Sequence, residues 1–168
     1  MKPTPPGWPR FSSAIVYHDA AAAIDWLCDA FGFEIRIKVE GENGRIEHCE
    51  LEYGDGLVMI AQESPDAARP WKRSLRSPRS LEGANTQSLM FYVDDADGHC
   101  AHARSCGARI VEEPTTHDYG ADHWADRSYG ALDPEGHVWW IAQRVRSAKS
   151  GWLESSDRTR FRSAGARL

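Results

Sequence analysis

The feature that most limits how this chain can fold is that part of it is written twice. The segment starting at Ala14, AIVYHDAAAAIDWLCDAFGF, aligns without a gap with the segment starting at Leu89, LMFYVDDADGHCAHARSCGA, at a shift of 75 residues. Tyr17 matches Tyr92, Asp19 matches Asp94, Ala21 matches Ala96 and Gly32 matches Gly107. A chain of 168 residues is long enough for one domain, or for two small modules that share one core. The duplication selects the second form. Each copy reads as strand, Asp cap, helix and Gly stop. Ala14–Tyr17 is a short apolar run suited to a buried strand. Asp19 is placed to accept from the free N–H groups of the helix that follows. Ile24, Leu27 and Phe31 recur at helical spacing and make one apolar face. Gly32 supplies the left-handed exit. In the second copy Asp94 or Asp95 caps and Gly107 stops, with His99 and His102 standing where Ile24 and Leu27 stand in the first.

Three strands are expected after each helix. In the first half they are Phe33–Val39, Arg45–Tyr53 and Leu57–Gln62, separated by the turn signals GENG and GDG. In the second half they are Arg109–Glu113, His123–Leu132 and His137–Arg144, and Asp133-Pro134-Glu135-Gly136 is a strong turn between the last two. Ile60-Ala61-Gln62 recurs as Ile141-Ala142-Gln143, now at a shift of 81, so the second half has the longer turns. The organisation that follows is an N-terminal arm (1–10), a first βαβββ module (11–63), a linker or flap (64–86), a second βαβββ module (87–144) and a basic tail (145–168). The linker is polar and Arg-rich. It reads as a connector, or as a mobile flap carried by Trp71.

Composition narrows the function classes. Hydrophobic residues at 41% and charged residues at 27% are ordinary for a globular protein. No run approaches the ~18 apolar residues of a membrane span, so no membrane partner is expected. The N-terminus, MKPTPPGWPRF, has no apolar signal region. Cys28, Cys49, Cys100 and Cys106 form no CxxC pair, and reduced thiols in a cytoplasm are the expectation. From Arg144 onward seven Arg and Lys stand against Glu154 and Asp157, so this tail carries +5 of a net −5 and the rest of the chain −10. An acidic body argues against nucleic acid as a partner. The tail lacks periodicity and reads as a flexible extension.

The repeat, together with AAAIDWLCDAFGFE, GRIEHCELEYGDGLVMIAQE and WADRSYGALDPEGHVWWIA, resembles the vicinal oxygen chelate superfamily, the glyoxalase, bleomycin-resistance and dioxygenase proteins. Within it the nearest likeness is the PhnB-type glyoxalase-like branch. The resemblance spans residues 11–144. It implies an α+β fold, two tandem βαβββ modules forming a curled eight-stranded mixed sheet around a cavity, often in a homodimer. Metal-dependent members hold a divalent ion with side chains from the first and last strands of each half, and that ion acts as a Lewis acid on a vicinal dioxygen substrate. Carried onto this chain, those positions fall at Ser12 or Ser13, Met59, Gln87 or Ser88, and Trp140. An indole offers no lone pair and a thioether is too soft for such ions. No cofactor is therefore expected, and a divalent metal is disfavoured.

Other residues carry candidate chemistry. The strand through Cys49, Leu51 and Tyr53 alternates with His48, Glu50 and Glu52. With Cys49 and Leu51 on the core, His48 and Glu50 face the cavity as a candidate base and its orienter. Trp124, Arg127, Tyr129 and Trp140 crowd the last two strands, where aromatics wall a planar ligand and Arg forks onto an anion; core packing is the plainer reading for some of them. Met59 joins them as the mate of Trp140. His99, His102 and Cys106 share a helix face at a spacing that suits zinc and equally a packing stripe. His117, Asp118, Asp122 and His123 are expected in a polar hairpin loop. The function these features suggest is metal-free binding of a small planar or amphipathic molecule in an aromatic cavity. The alternative is a lyase or isomerase, or a dioxygenase-like enzyme, acting on a vicinal dioxygen compound.

Overall fold

The computed structural model describes residues 2–65 and 67–148, so the expected flexible tail lies outside the described residues from position 149 on. The element order is β1 (Ser13–Tyr17), α1 (Ala20–Phe31), β2 (Glu34–Glu40), β3 (Ile46–Tyr53), β4 (Gly56–Gln62), α2 (Pro70–Arg73), β5 (Ser88–Tyr92), α3 (Ala96–Ser105), β6 (Arg109–Asp118), β7 (Ala125–Leu132) and β8 (Val138–Arg146). This is βαβββ twice. The strands hydrogen-bond as two four-stranded mixed sheets, in the orders β1-β4-β3-β2 and β5-β8-β7-β6. The outer pairs β1/β4 and β5/β8 are parallel and the rest antiparallel. No helix among the described residues is long and apolar enough to cross a membrane. β6 runs to Asp118 rather than stopping at Glu113, and two register shifts against β7 accommodate the extra length. His117 and Asp118 thus lie in a strand, where Asp118 pairs with Arg146.

The helix ends form as the side chains dictate. Asp19 accepts from the Ala22 amide at 3.1 Å, and Gly32 closes α1 with φ 78°, where a side chain would be strained. In α3 the cap is Asp95, which accepts from the Gly98 amide at 3.0 Å. The two helices also cap each other. His102 Nε2 lies 2.7 Å from the Asp29 carbonyl and His99 Nε2 lies 3.2 Å from that of Phe31, both in the last turn of α1. In return Trp26 Nε1 donates to the Cys106 carbonyl at the end of α3, at 2.7 Å. The histidines replace apolar residues in the second copy because helix-end carbonyls of the first need donors.

One core serves both halves. Ile15, Tyr17 and Ile60 meet Ile24, Leu27 and Phe31 of α1, and the same cluster continues through Cys100, Tyr129, Ala131, Trp139 and Ile141. Phe31, Phe33, Phe91 and Trp139 pack edge-on or tilted at centroid distances of 5.4 to 6.2 Å. Each such ring is worth about 1.5–3 kcal/mol of burial. A polar staple adds to this. Asp133 Oδ1 accepts from the amides of Glu135, Gly136 and His137, while Oδ2 accepts from Tyr17 Oη at 2.6 Å and Trp139 Nε1 at 3.1 Å. Glu135 of the same turn accepts from the His18 and Asp19 amides at 2.6 and 2.7 Å. The DPEG turn of the second module therefore completes the end of β1 and the entry to α1 in the first.

The 64–86 segment is docked rather than loose. Buried Glu63 accepts from Ser80 Oγ (2.7 Å), Arg76 Nε (3.0 Å) and the Ser77 amide (3.2 Å), and His18 Nδ1 lies 2.8 Å away. Ser77, fully buried, donates its hydroxyl to Glu135.

Candidate functional site

Because the shared core covers one face of each sheet, the other face of each looks outward. Strand register names what lies there. In the first sheet Ala14, Met59, Glu50 and Ile37 are successive cross-strand neighbours, one from each strand. In the second the corresponding row is Met90, Trp140, Gly130 and Glu112. Met59 and Trp140 thus occupy matching places in the two modules. Each row spans three strand spacings, roughly 14 Å. Both faces leave large apolar side chains in the open: Ile37 is 43% exposed, Val39 47%, Met90 55% and Val111 52%. Neighbouring exposed apolar side chains of this kind are candidates for contact with a ligand or another protein.

The first outer face has walls at both ends. At the β1/β4 end Trp71 and Leu75 of the docked segment stand over Val16 and Ala61 and frame a cleft of about 200 Å³. At the β2/β3 end the N-terminal arm lies against Arg36. The Trp8 ring stacks 4.9 Å from the guanidinium, and Arg36 donates to the Gly7 carbonyl at 2.6 Å. Between the walls His48 Nε2 is 3.1 Å from Glu50 Oε1. Glu50 is only 4% exposed.

The aromatic residues expected around a single cavity are split between faces. Trp140 lies on the outer face with its six-membered ring over Gly130; a Cβ there would come within 3.2 Å of both the Trp140 ring and Val111. Trp124 is at the far end of this sheet, where the Arg144 guanidinium sits 5.6 Å from its ring and 5.2 Å from that of Tyr92. Arg144 also pairs with buried Asp126, to which Tyr92 Oη donates at 3.2 Å. Arg127 and Tyr129 point the other way. Arg127 forks onto Asp97 of α3 at 2.5 and 2.6 Å. Tyr129 is in the core, its hydroxyl 2.6 Å from His99 Nδ1, and burial pushes its phenol far above the usual range. Neither reaches the face that carries Trp140. Arg36 and Trp8 were not among the residues expected at the site, whereas Trp71, expected on a flap, stands at its β1/β4 end.

The family's metal positions do not assemble a fitting donor set. Met59 and Trp140 lie on different outer faces, and Gln87 is engaged with Ser13 Oγ at 3.1 Å. Thioether and indole are the wrong donors for a divalent ion that acts on oxygen ligands. Among the described residues no group of three or more His, Cys, Asp or Glu is arranged to hold a metal. His99 uses Nε2 on the Phe31 carbonyl and Nδ1 on Tyr129 Oη, and His102 uses Nε2 on the Asp29 carbonyl. The four cysteines are free, and burial raises the Cys49 thiol to about 11, which leaves it unreactive at neutral pH.

Comparison with known proteins identifies the family and the fold. Residues 12–141 match the model of the Glyoxalase/Bleomycin resistance protein/Dioxygenase superfamily. An uncharacterized Mycobacterium tuberculosis protein, Rv0887c, is 28% identical over 148 residues, 88% of this chain and 82% of its own length. Among solved structures, TioX from Micromonospora sp. ML1 superimposes with a TM-score of 0.59 at 26% identity, covering 82% of this chain and all of TioX. TnmS3 of Streptomyces sp. CB03234, an antibiotic binding protein, superimposes with a TM-score of 0.57 at 19% identity, over 81% of this chain and 96% of its own.

Proposed function

The chain belongs to the Glyoxalase/Bleomycin resistance protein/Dioxygenase superfamily, and from that premise we propose that it binds a small planar or amphipathic molecule without a metal, on the outer sheet faces. The observation that carries this reading is the row Ala14, Met59, Glu50 and Ile37, an apolar floor interrupted by one buried carboxyl and walled by Trp8 and Trp71. An apolar surface with a few placed polar groups is the general form of a small-molecule site. Antibiotic binding by TnmS3 supports the same reading for this fold. The acidic body favours ligands of positive or neutral charge. A second copy of the chain covers the exposed Ile37, Val39, Met90 and Val111 and turns each open face into a cleft, so the working unit is a homodimer. We also propose the PhnB-type branch, from the sequence motifs, and a reducing cytoplasm, from the unpaired cysteines.

The test combines light scattering with a thermal-shift screen of planar aromatic compounds, run with and without Ni, Mn, Zn and Fe. The expected result is a mass twice the 18.8 kDa of one chain and stabilisation by aromatic ligands that no metal enhances. A stoichiometric metal that is required for ligand binding would refute the metal-free reading. The enzyme alternative, a lyase or isomerase on a vicinal dioxygen compound, has one observation in its favour, the His48–Glu50 pair. Turnover of any hit that His48→Ala abolishes would move it to first place.

A further inference from the structure

Resting on that reading of the outer face, we propose that Glu50 is its polar anchor: one carboxyl oxygen accepts from an N–H group on a flat aromatic ligand, and the N-terminal arm at Gly7–Trp8 covers this anchor until the ligand arrives.

Among the described residues the other buried carboxylates have their oxygens occupied. Asp133 takes five donors, Glu135 takes three and Glu63 is ringed by His18, Arg76, Ser77 and Ser80. Asp126 takes Arg144 and Tyr92. Glu50 differs. Its Oε2 is the one buried side-chain polar atom among the described residues without a hydrogen-bond partner. Arg36 Nε is 3.6 Å from it, close enough for ionic attraction and too far for a hydrogen bond. Arg36 is held there by other partners, the Gly7 carbonyl and the Trp8 ring. A buried acceptor left open in this way is unfavourable unless some state of the protein fills it.

The surroundings select the donor's carrier. Met59 and Ile37 flank Glu50 as cross-strand neighbours, and both are apolar. A thioether beside an acceptor suits an aromatic ring that carries its donor at the edge, because sulfur packs well against rings. His48 already lies on Oε1, so the ligand needs a single donor directed at Oε2. The Trp8 indole lies over the Arg36 guanidinium that faces this oxygen, and in the proposed complex a ligand ring takes over that position.

The chain has three methionines, so methyl-labelled methionine gives few signals, with Met59 reporting on this face and Met90 on the other. Two neutral probes of the same shape differ only in the donor: 2-aminobenzothiazole and 2-methylbenzothiazole. The expected result is that both move the Met59 signal, the amine binding about tenfold more tightly, as one hydrogen bond to a carboxyl group predicts. Glu50→Leu removes the preference, and Trp8→Ala tightens the amine several-fold. Equal affinity of the two probes, or a preference that survives Glu50→Leu, overturns the anchor while leaving the face as the site. No shift of Met59 with either probe overturns both. Unchanged or weaker binding to Trp8→Ala overturns the covering role and leaves Trp8 as a fixed wall of the site. Should Glu50→Leu not fold, the probe comparison on the unaltered protein still decides.

Discussion

Glu63 holds the 64–86 segment on the molecule, and its titration can be followed. Burial alone would raise the carboxyl, but the bonds from His18, Ser80, Arg76 and the Ser77 amide outweigh it and bring Glu63 from 4.5 down to about 2. That difference corresponds to roughly 3 kcal/mol of folding stability. The sign follows from proton binding. Between the two values the unfolded chain takes up a proton that the folded chain refuses. The stabilisation is complete above pH ~4.5 and is lost as pH falls toward 2, at about 1.4 kcal/mol per pH unit. Glu63→Gln keeps the shape but turns one acceptor into a donor facing donors. Urea unfolding of both proteins should therefore show the variant about 3 kcal/mol weaker at pH 7, with the gap narrowing by ~1.4 kcal/mol at pH 3.5. The protection factor of the Ser77 amide should fall in the same window. A gap that stays constant from pH 7 to 3.5, or one below ~0.5 kcal/mol throughout, would refute the argument that this carboxylate is the clamp.

Three other outcomes are expected. Burial lowers the pKa of His99, so its contribution to stability is present at neutral pH and lost as pH falls below its unfolded value of 6.5; His99→Gln should flatten the stability profile between pH 5 and 7, measured by chemical denaturation. Gly130→Ala sets a methyl 3.2 Å from the Trp140 ring and should cost about 1–3 kcal/mol while shifting the indole fluorescence. Asp133→Asn leaves Tyr17 Oη or Trp139 Nε1 facing an amide donor and should lower stability by about 3 kcal/mol, visible as a lower urea midpoint with the slope unchanged.

Much of the fold could be read from local chemistry. Asp19 and Gly32 announce α1, and the Cys49/Leu51 alternation with His48/Glu50 assigns the faces of β3, because one set is apolar and the other is not. The same logic fails on β7. Asp126 and Ser128 alternate with Arg127 and Tyr129, and polar residues fall on both faces. Arg127 goes to the helix side because Asp97, thirty residues away, receives it, and no local pattern carries that information. The docking of the site's walls was hidden for a related reason. Trp8 and Trp71 sit in segments without periodicity, and only Arg36 and the carboxyl groups of Glu63 and Glu135 show where those segments dock. The tandem Trp139-Trp140 was the readable case, since adjacent strand residues must face opposite ways, and one entered the core while the other faced out.

The staple at Asp133 and Glu135 also bears on the order of events during synthesis. The amides at the end of β1 and the start of α1 wait for a glutamate 116 positions downstream. While the ribosome is still making the intervening chain, the first βαβββ unit has its helix cap and its strands but not the partner that closes its end. Contacts of such long sequence separation form late and slow folding. The emerging half presents an unfinished apolar face for the seconds that translation needs to reach position 135. A chain whose halves finish each other is therefore more vulnerable to sticking to a neighbour during its birth than after release, and slow translation through the second half would widen that interval.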